Sequence, residues 1–349
     1  MSHGINSVVN VQPSDHTFEV RPSQTVLEAA IEAGINLPYG CRNGACGSCK
    51  GKVLQGTVVH DDYQASAMSD AELATGSALF CCARPMSDLT IECREVGGLN
   101  GIKPRILPAR VQLMERLTPD VMALHLKLPS TEKLQFLAGQ YIEFLLKDGK
   151  RRAFSLANAP HDDDTLQLHI RAVANGEFTQ YVFNDLKEKA IMRIEAPFGS
   201  FYLREDSKKP IIFVVGGTGF APVKGMIEHM LYNNIHREVI LYRGGRTADD
   251  LYMNELCEKW AEMMPNICYV PVVNQPNSAW QGRTGLVHQA ILDDVADLSA
   301  YQVYACGAPG MVDIAHQTFV AQGLPADEFF SDAFTFAHPT PNLQPSIST

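Results

Sequence analysis

The sequence has no surplus of positive charge: 29 Lys and Arg stand against 39 Asp and Glu, a net charge of −10. Such a balance argues against nucleic acid or a membrane surface as the main partner and suits a basic patch on another protein. Long apolar runs are missing as well. The longest tidy one, Ile211 to Val215, falls far short of the roughly 18 residues of a membrane helix. The opening MSHGINSVVN lacks the charged and apolar regions of a signal peptide, so a cytoplasmic protein is expected. No internal repeat is visible, and His60, His125, His169, His229 and His288 are scattered without ligand spacing, which reads as ordinary surface or core. What is present is apolar material for real cores: 46% of residues are hydrophobic and only 19% charged, too few charges for disorder. At about 150 residues per domain, the 349 residues predict two or three domains.

Three segments follow different patterns. Residues 1–97 begin with two short strands and the helix signal TVLEAAIEAG, where Thr25 and Glu28 have capping-box spacing and Gly34 stops the helix. Residues 98–108 combine glycines with two prolines and read as a linker. Over 109–205 the runs alternate like strands, with Leu166, Leu168 and Ile170 on one face and Gln167, His169 and Arg171 on the other, which predicts an antiparallel β-barrel or sandwich. Over 206–337 the apolar strands 211–215, 239–243, 268–273 and 301–305 are separated by helix-length segments, the pattern of a parallel sheet covered on both faces. The remainder, 338–349, reads as a disordered tail.

Nine cysteines form no extracellular disulfide pattern. Cys41, Cys46 and Cys49 stand in CRNGACGSC, with Cys81 and Cys82 about thirty residues on, and C-x4-C-x2-C followed by a remote Cys is the plant-type 2Fe-2S spacing. Gly40, Gly44 and Gly47 let the loop wrap closely and aim N–H groups at the sulfurs. Structural zinc usually draws on two separated short pairs, whereas here three thiols crowd nine residues. The spacing leaves Cys81 and Cys82 both open as fourth ligand; CCARP resembles the ferredoxin segment whose ligand lies four residues before a proline, which selects Cys81. Cys93, Cys257 and Cys268 lie in apolar contexts and read as small core residues.

In RRAFSLANAP, Arg152, Phe154 and Ser155 place a cation, an aromatic ring and a hydroxyl along one strand, a set able to meet a diphosphate and a planar ring, although such a strand needs no ligand to exist. RAFS resembles the R-x-(Tyr/Phe)-Ser signature of the ferredoxin-NAD(P)+ reductase family. The resemblance implies that Arg152 binds FAD diphosphate, Phe154 contacts the flavin and Ser155 approaches flavin N5. HIRAVANGEFT resembles that family's second diphosphate element, with Arg171, Gly176 and Thr179 in the matching places, and EAPFGSF resembles its Gly-Pro-x-Gly-x-Phe strand, with Ala196 where Gly is common.

After Ile211 to Val215 comes GGTGFAP, a Gly-rich turn before a helix, with Gly216, Gly217, Thr218 and Gly219 ahead of Pro222. Backbone N–H groups there favour a diphosphate, though this is not the G-x-G-x-x-G fingerprint. CGAPGM, with Cys306 and Gly307, follows the strand 301–305. Cys306 taken alone is a strand-end thiol; both turns resemble the reductase family, which implies a dinucleotide on the first and Cys306 beside the nicotinamide. RGGRTADDLY mixes Arg243 and Arg246 with Asp249 and Asp250, so charge does not separate NADH from NADPH, and its resemblance to NADH-using members favours NADH. FFSDAFT resembles the family's final strand, which makes Phe334 either the aromatic that covers the flavin or a core residue.

The resemblance spans 8–335 and implies a β-grasp 2Fe-2S ferredoxin domain, an antiparallel β-barrel FAD domain and an α/β parallel-sheet nicotinamide domain. The implied reaction carries electrons from NADH to FAD to the cluster to an external protein, with positioning by Ser155, Cys306 and Phe334 rather than a strong general base. LPYGCRNGACGSCKGKV, WQGRTGLVHQA and FFSDAFT resemble the CDP-6-deoxy-3,4-glucoseen reductases, whose acceptor is a sugar dehydratase. The same modules occur as reductase components of phenol hydroxylases and aromatic-ring dioxygenases, so the acceptor stays open between dehydratase and oxygenase component. A non-enzymatic redox sensor would not need GGTGFAP and CGAPGM.

Overall fold

The computed structural model describes residues 6–98 and 101–335; the expected tail, 338–349, lies outside them. Three sheets follow one another along the chain. The first segment runs β1 (Ser7–Gln12), β2 (His16–Val20), α1 (Val26–Ala33), β3 (Lys50–Gln55), β4 (Val58–His60), α2 (Asp70–Ala74), β5 (Ser77–Leu79), β6 (Ala83–Pro85) and β7 (Leu89–Glu92). Its main sheet has the order β2-β1-β7-β3-β5, with β1 and β7 parallel. Helix α1 starts on the Thr25–Glu28 capping box and ends at Gly34, whose φ of +81° suits glycine. Its buried Val26, Leu27, Ala29 and Ala30 join Val9, Val11, Phe18 and Ile91 in one core.

The middle segment comprises β8 (Arg105–Thr118), β9 (Val121–Lys127), β10 (Tyr141–Leu145), β11 (Arg151–Ser155), β12 (Leu166–Arg171), α3 (Glu177–Asn184) and β13 (Ile191–Phe198). The antiparallel order β11-β10-β13-β8-β9-β12 bends round until Leu156 bridges Leu168, joining the two ends as a barrel. Strand β8 begins inside the 98–108 stretch: Leu107, Ala109 and Val111 are buried while Ile106, Pro108 and Arg110 face out, a period of two that the prolines disguise. Leu166, Leu168 and Ile170 enter the barrel core.

The third segment is a parallel sheet built from β14 (Ile211–Gly216), α4 (Phe220–Tyr232), β15 (Val239–Gly245), α5 (Asn254–Met263), β16 (Ile267–Val273), β17 (Arg283–Thr284), α6 (Val287–Asp294), β18 (Gln302–Gly307), α7 (Pro309–Ala321) and β19 (Phe329–Ala333). Its order is β17-β16-β15-β14-β18-β19. Side chains alternate: Ile211, Phe213 and Val215 pack in one core with residues of α4 and α5, and Ile212 and Val214 pack in another with residues of α6 and α7. Cys93 and Cys257 are buried as expected, but Cys268 is exposed, because on β16 it alternates with the buried Ile267 and turns outward. Strand order reverses at β14, and the crevice beyond the carboxyl ends of β14 and β18 is where such sheets receive ligands.

The barrel and the parallel sheet meet along the outer row of β12. Gln167 accepts from Lys224 Nζ at 3.0 Å, His169 Nδ1 lies 3.0 Å from the Tyr252 hydroxyl, and Arg171 lies 3.6 Å from Asp250. The first segment is seated differently, through Tyr39 to Arg42. Tyr39 and Ser200 exchange hydrogen bonds, Tyr141 donates to Gly40 O at 2.7 Å, and Arg42 reaches Glu143 at 3.1 Å.

Candidate active site

The cysteine loop closes on itself because two of its glycines adopt backbone angles closed to most residues. Gly44 and Gly47 have φ of +73° and +75°, and a Cβ on Gly44 would stand 2.7 Å from both Cys82 Sγ and Tyr63 Cβ. Backbone N–H groups point at sulfur: Cys41 N donates to Cys46 Sγ at 3.3 Å and Ala45 N to Cys41 Sγ at 3.4 Å. The thiols are arranged as two pairs, Cys41 facing Cys46 and Cys49 facing Cys81, and one of each pair, Cys46 and Cys81, is pushed toward the thiolate by its partner's S–H. Among the described residues no three His, Cys, Asp or Glu converge as a single-ion site. Two pairs suit two irons better than one tetrahedral zinc. Cys82 Sγ lies 3.5 Å from Cys81 Sγ but turns to the Asp62 carbonyl at 3.7 Å.

Cys41 and Cys81 form one end of a cleft of about 2140 Å³ that crosses the barrel and ends on the parallel sheet. A site for one small ligand reaches roughly 1,000 Å³, so there is room for two nucleotides. Arg152, Phe154 and Ser155 of β11 line the middle, with Gly176, Thr179 and Arg171 beyond them. Arg152 has no carboxylate partner among the described residues, and Phe154 leans on Phe144 and Phe178. Thr179 is occupied in folding its own turn, accepting from Val173 N and donating to Gly176 O, which presents the uncapped N-terminus of α3 to the cleft. Arg171 lies between two carboxylates, Nε 3.4 Å from Asp120 and Nη1 3.6 Å from Asp250, and keeps Nη2 buried without a hydrogen-bond partner, beside Gly217. A buried guanidinium donor left over next to a helix N-terminus fits a diphosphate.

The far end is made by the turns after β14 and β18. Gly216, Gly217, Thr218 and Gly307 line it, together with Pro309 and Phe334. Gly219, Pro222 and Cys306 do not. Cys306 is wholly enclosed in the core between β18 and α4, where burial raises its thiol well above the usual range. Pro222 is buried in the first turn of α4, where its missing N–H costs nothing. Gly219 serves packing: a Cβ there would lie 2.2 Å from Cys306 O. Gly219→Ala is therefore expected to cost about 1–3 kcal/mol, read as a fall in melting temperature without a lost ligand contact. An unchanged melting curve would show that the two turns can part.

Two residues that sequence reasoning passed over complete the middle of the cleft. Asp332, two places before Phe334 in the same quoted segment, lies on the cleft floor with Ser155 Oγ donating to it at 3.4 Å, and desolvation pushes its carboxyl up to about 7. Tyr141 lies directly across from Ser155 in the β10–β11 pairing and connects it to the cysteine loop. Asp250 was visible only as one charge in a mixed segment; it holds Arg246 at 3.4 Å as well as facing Arg171.

Family models match in the order of these three sheets: a 2Fe-2S iron-sulfur cluster binding domain over 9–86, an oxidoreductase FAD-binding domain over 108–202 and an oxidoreductase NAD-binding domain over 213–317. The CDP-6-deoxy-L-threo-D-glycero-4-hexulose-3-dehydrase reductase of Yersinia pestis is 41% identical over 93% of this chain and 98% of its own. The chain belongs to the iron-sulfur flavoprotein reductases. Terephthalate 1,2-dioxygenase reductase component 2 of Comamonas is 34% identical over 95% of this chain and 98% of its own. Among solved structures, the Amycolatopsis cytochrome P450 reductase superposes with a TM-score of 0.79 at 32% identity, covering 94% of this chain and 98% of that one. This iron-sulfur flavoprotein reductase thus carries FAD and a 2Fe-2S cluster and uses a nicotinamide dinucleotide. Among the described residues no helix is long and apolar enough to cross a membrane.

Proposed function

We propose that this reductase takes electrons from NADH and passes them to a pyridoxamine-phosphate-dependent sugar dehydratase in the cytoplasm. The carrying observation is the single cleft: the cluster loop, Ser155 and the Gly216–Thr218 turn all line it, so donor and acceptor ends share one continuous path. FAD held there would supply the conversion between the two-electron hydride donor and a cluster that takes one electron at a time. Cys41, Cys46, Cys49 and Cys81 hold the cluster. Arg152, Arg171 and the α3 N-terminus after Gly176 hold the FAD diphosphate, with Thr179 shaping that turn. Phe154 flanks the flavin and Ser155 addresses N5. Gly216, Gly217, Thr218 and Gly307 seat the dinucleotide, Gly219 and Pro222 set the turn and helix behind them, Cys306 backs the nicotinamide pocket, and Phe334 shields the flavin from water. None of the nine cysteines is in a disulfide, in keeping with a reducing compartment.

The acceptor assignment rests on the 41% identity to the dehydrase reductase against 34% to the terephthalate reductase. Anaerobic mixing of the NADH-reduced protein with purified dehydrase, and separately with a dioxygenase component, tests it. Cluster reoxidation should be faster with the dehydrase; preference for the dioxygenase component would replace the assignment by the second reading, an oxygenase reductase.

The NADH preference is supported by Asp250. Its carboxylate faces Arg246 and accepts from the Arg246 and Thr247 backbone N–H groups, so the cation beside β15 is already matched and a 2′-phosphate would meet a negative charge. Asp250→Asn keeps a capping oxygen and removes that charge. The kcat/KM ratio of NADPH to NADH should rise about tenfold; an unmoved ratio would remove Asp250 from the specificity determinants.

A further inference from the structure

The seat of the cysteine loop contains an ionic chain centred on one buried carboxylate. Glu143, its side chain 5% exposed, accepts from Arg42 Nη1 at 3.1 Å and Arg151 Nη1 at 2.8 Å. Arg42 belongs to the loop between Cys41 and Cys46, adopts φ +61° and lies with its guanidinium 4.2 Å from the Phe198 ring centroid. Arg151 belongs to β11, the strand of Ser155, and also pairs with Glu195. One carboxylate therefore joins the cluster loop to the flavin strand, and all three residues line the cleft between Cys41 and Ser155. Two strand positions away on β10, Tyr141 makes the parallel link, opposite Ser155 and hydrogen-bonded to Gly40 O.

We propose that Glu143, clamped between Arg42 and Arg151, is a positioning residue that holds the cluster loop against the flavin cleft and sets the rate of the internal electron step. The inference rests on the reading of the cleft above. The step moves one electron from reduced flavin to oxidised cluster, with no bond made or broken, so distance and orientation govern it. An Arg in a left-handed conformation needs outside anchors, and a buried carboxylate shared by two cations is a stiff one. Without it, two guanidinium charges face each other across the joint, and the loop carrying Cys41 moves away from Ser155.

The test is anaerobic stopped-flow of the loaded protein with NADH, following flavin bleaching and cluster reduction as separate phases, with an EPR-monitored redox titration of the cluster. In Glu143→Gln, flavin bleaching should keep its rate while the transfer phase slows about tenfold. The cluster potential should rise, since a negative charge beside it is lost. A more favourable driving force with a slower transfer isolates geometry from energetics. Tyr141→Phe, which removes one hydroxyl and little else, should slow the same phase less and leave the potential unmoved; it decides the matter should Glu143→Gln fail to fold. Transfer phases matching wild type in a folded Glu143→Gln protein, or in Tyr141→Phe when that variant must decide, overturn the proposal. Absence of NADH bleaching or of a cluster signal in the wild type would instead overturn the reading of the cleft, and this proposal with it.

Discussion

Cys81→Ala is expected to abolish the visible absorption and EPR signal of the cluster and to cut electron delivery to a one-electron protein acceptor by about 100-fold or more, while NADH still bleaches the flavin. Cys82→Ala should leave all three nearly unchanged. The two thiols are neighbours in sequence and only 3.5 Å apart, so chemistry alone does not separate them. Geometry does: Cys81 faces Cys49 and lines the cleft, whereas Cys82 turns to the Asp62 carbonyl. Cys82 is also wedged against the loop at Gly44, where even a Cβ would approach its sulfur to 2.7 Å, so it lacks room to swing over and replace its neighbour. Iron content and visible spectra of the two variants check this, and a cluster retained in Cys81→Ala but lost in Cys82→Ala would reverse the assignment.

The second large effect concerns Asp332, whose carboxyl desolvation raises from 3.8 to about 7. Neutral Asp332 donates to Ser155 Oγ and leaves the Ser155 O–H free for flavin N5; ionised Asp332 takes that O–H for itself. Flavin reduction by NADH should therefore be fast below pH 7 and fall about tenfold or more as pH rises through it. Asp332→Asn, whose amide donates as the neutral acid does, should give a flat, fast profile, and Asp332→Ala, which can no longer take the Ser155 O–H, should lose the pH dependence as well. The linkage has the same sign. A folded pKa above the unfolded value means stability present below about pH 4 and lost progressively up to about pH 7, so Asp332→Asn should melt higher than wild type at pH 8. A wild-type limb that survives in Asp332→Asn would place the titrating group elsewhere.

The parts of this site that sequence made legible are those carried by local spacing. C-x4-C-x2-C, the Thr25–Glu28 box and the glycine turns after β14 and β18 each fit within one stretch of chain. Glu143, Tyr141 and Asp332 were not legible because strand pairing brings them together: Asp332 is 177 residues from Ser155, and Tyr141 is 101 from Gly40. Cys306 and Gly219 were visible, yet their roles depend on which side of β18 faces α4, which spacing does not reveal. The 98–108 stretch misled in the opposite way, since Pro108 sits on the outward positions of β8 and interrupts nothing. Cys268 shows the same limit, an apolar neighbourhood in sequence that places one residue outward.

The unequal joints between the three sheets bear on how such proteins are assembled by recombination. The barrel and the parallel sheet are joined by a ladder of polar pairs along β12, with the cleft lying across both, so exchanging either alone would break that ladder and the cleft. The first segment meets them through Tyr39 to Arg42, with Arg94 on Asp327 and Gly97 on Tyr202 beside it, a few contacts that a transplanted domain could bring with it. Grafting another cluster domain onto this reductase thus becomes a problem of a few matched side chains, and the electrons' destination can be changed by swapping one cassette while the nicotinamide-oxidising machinery stays intact.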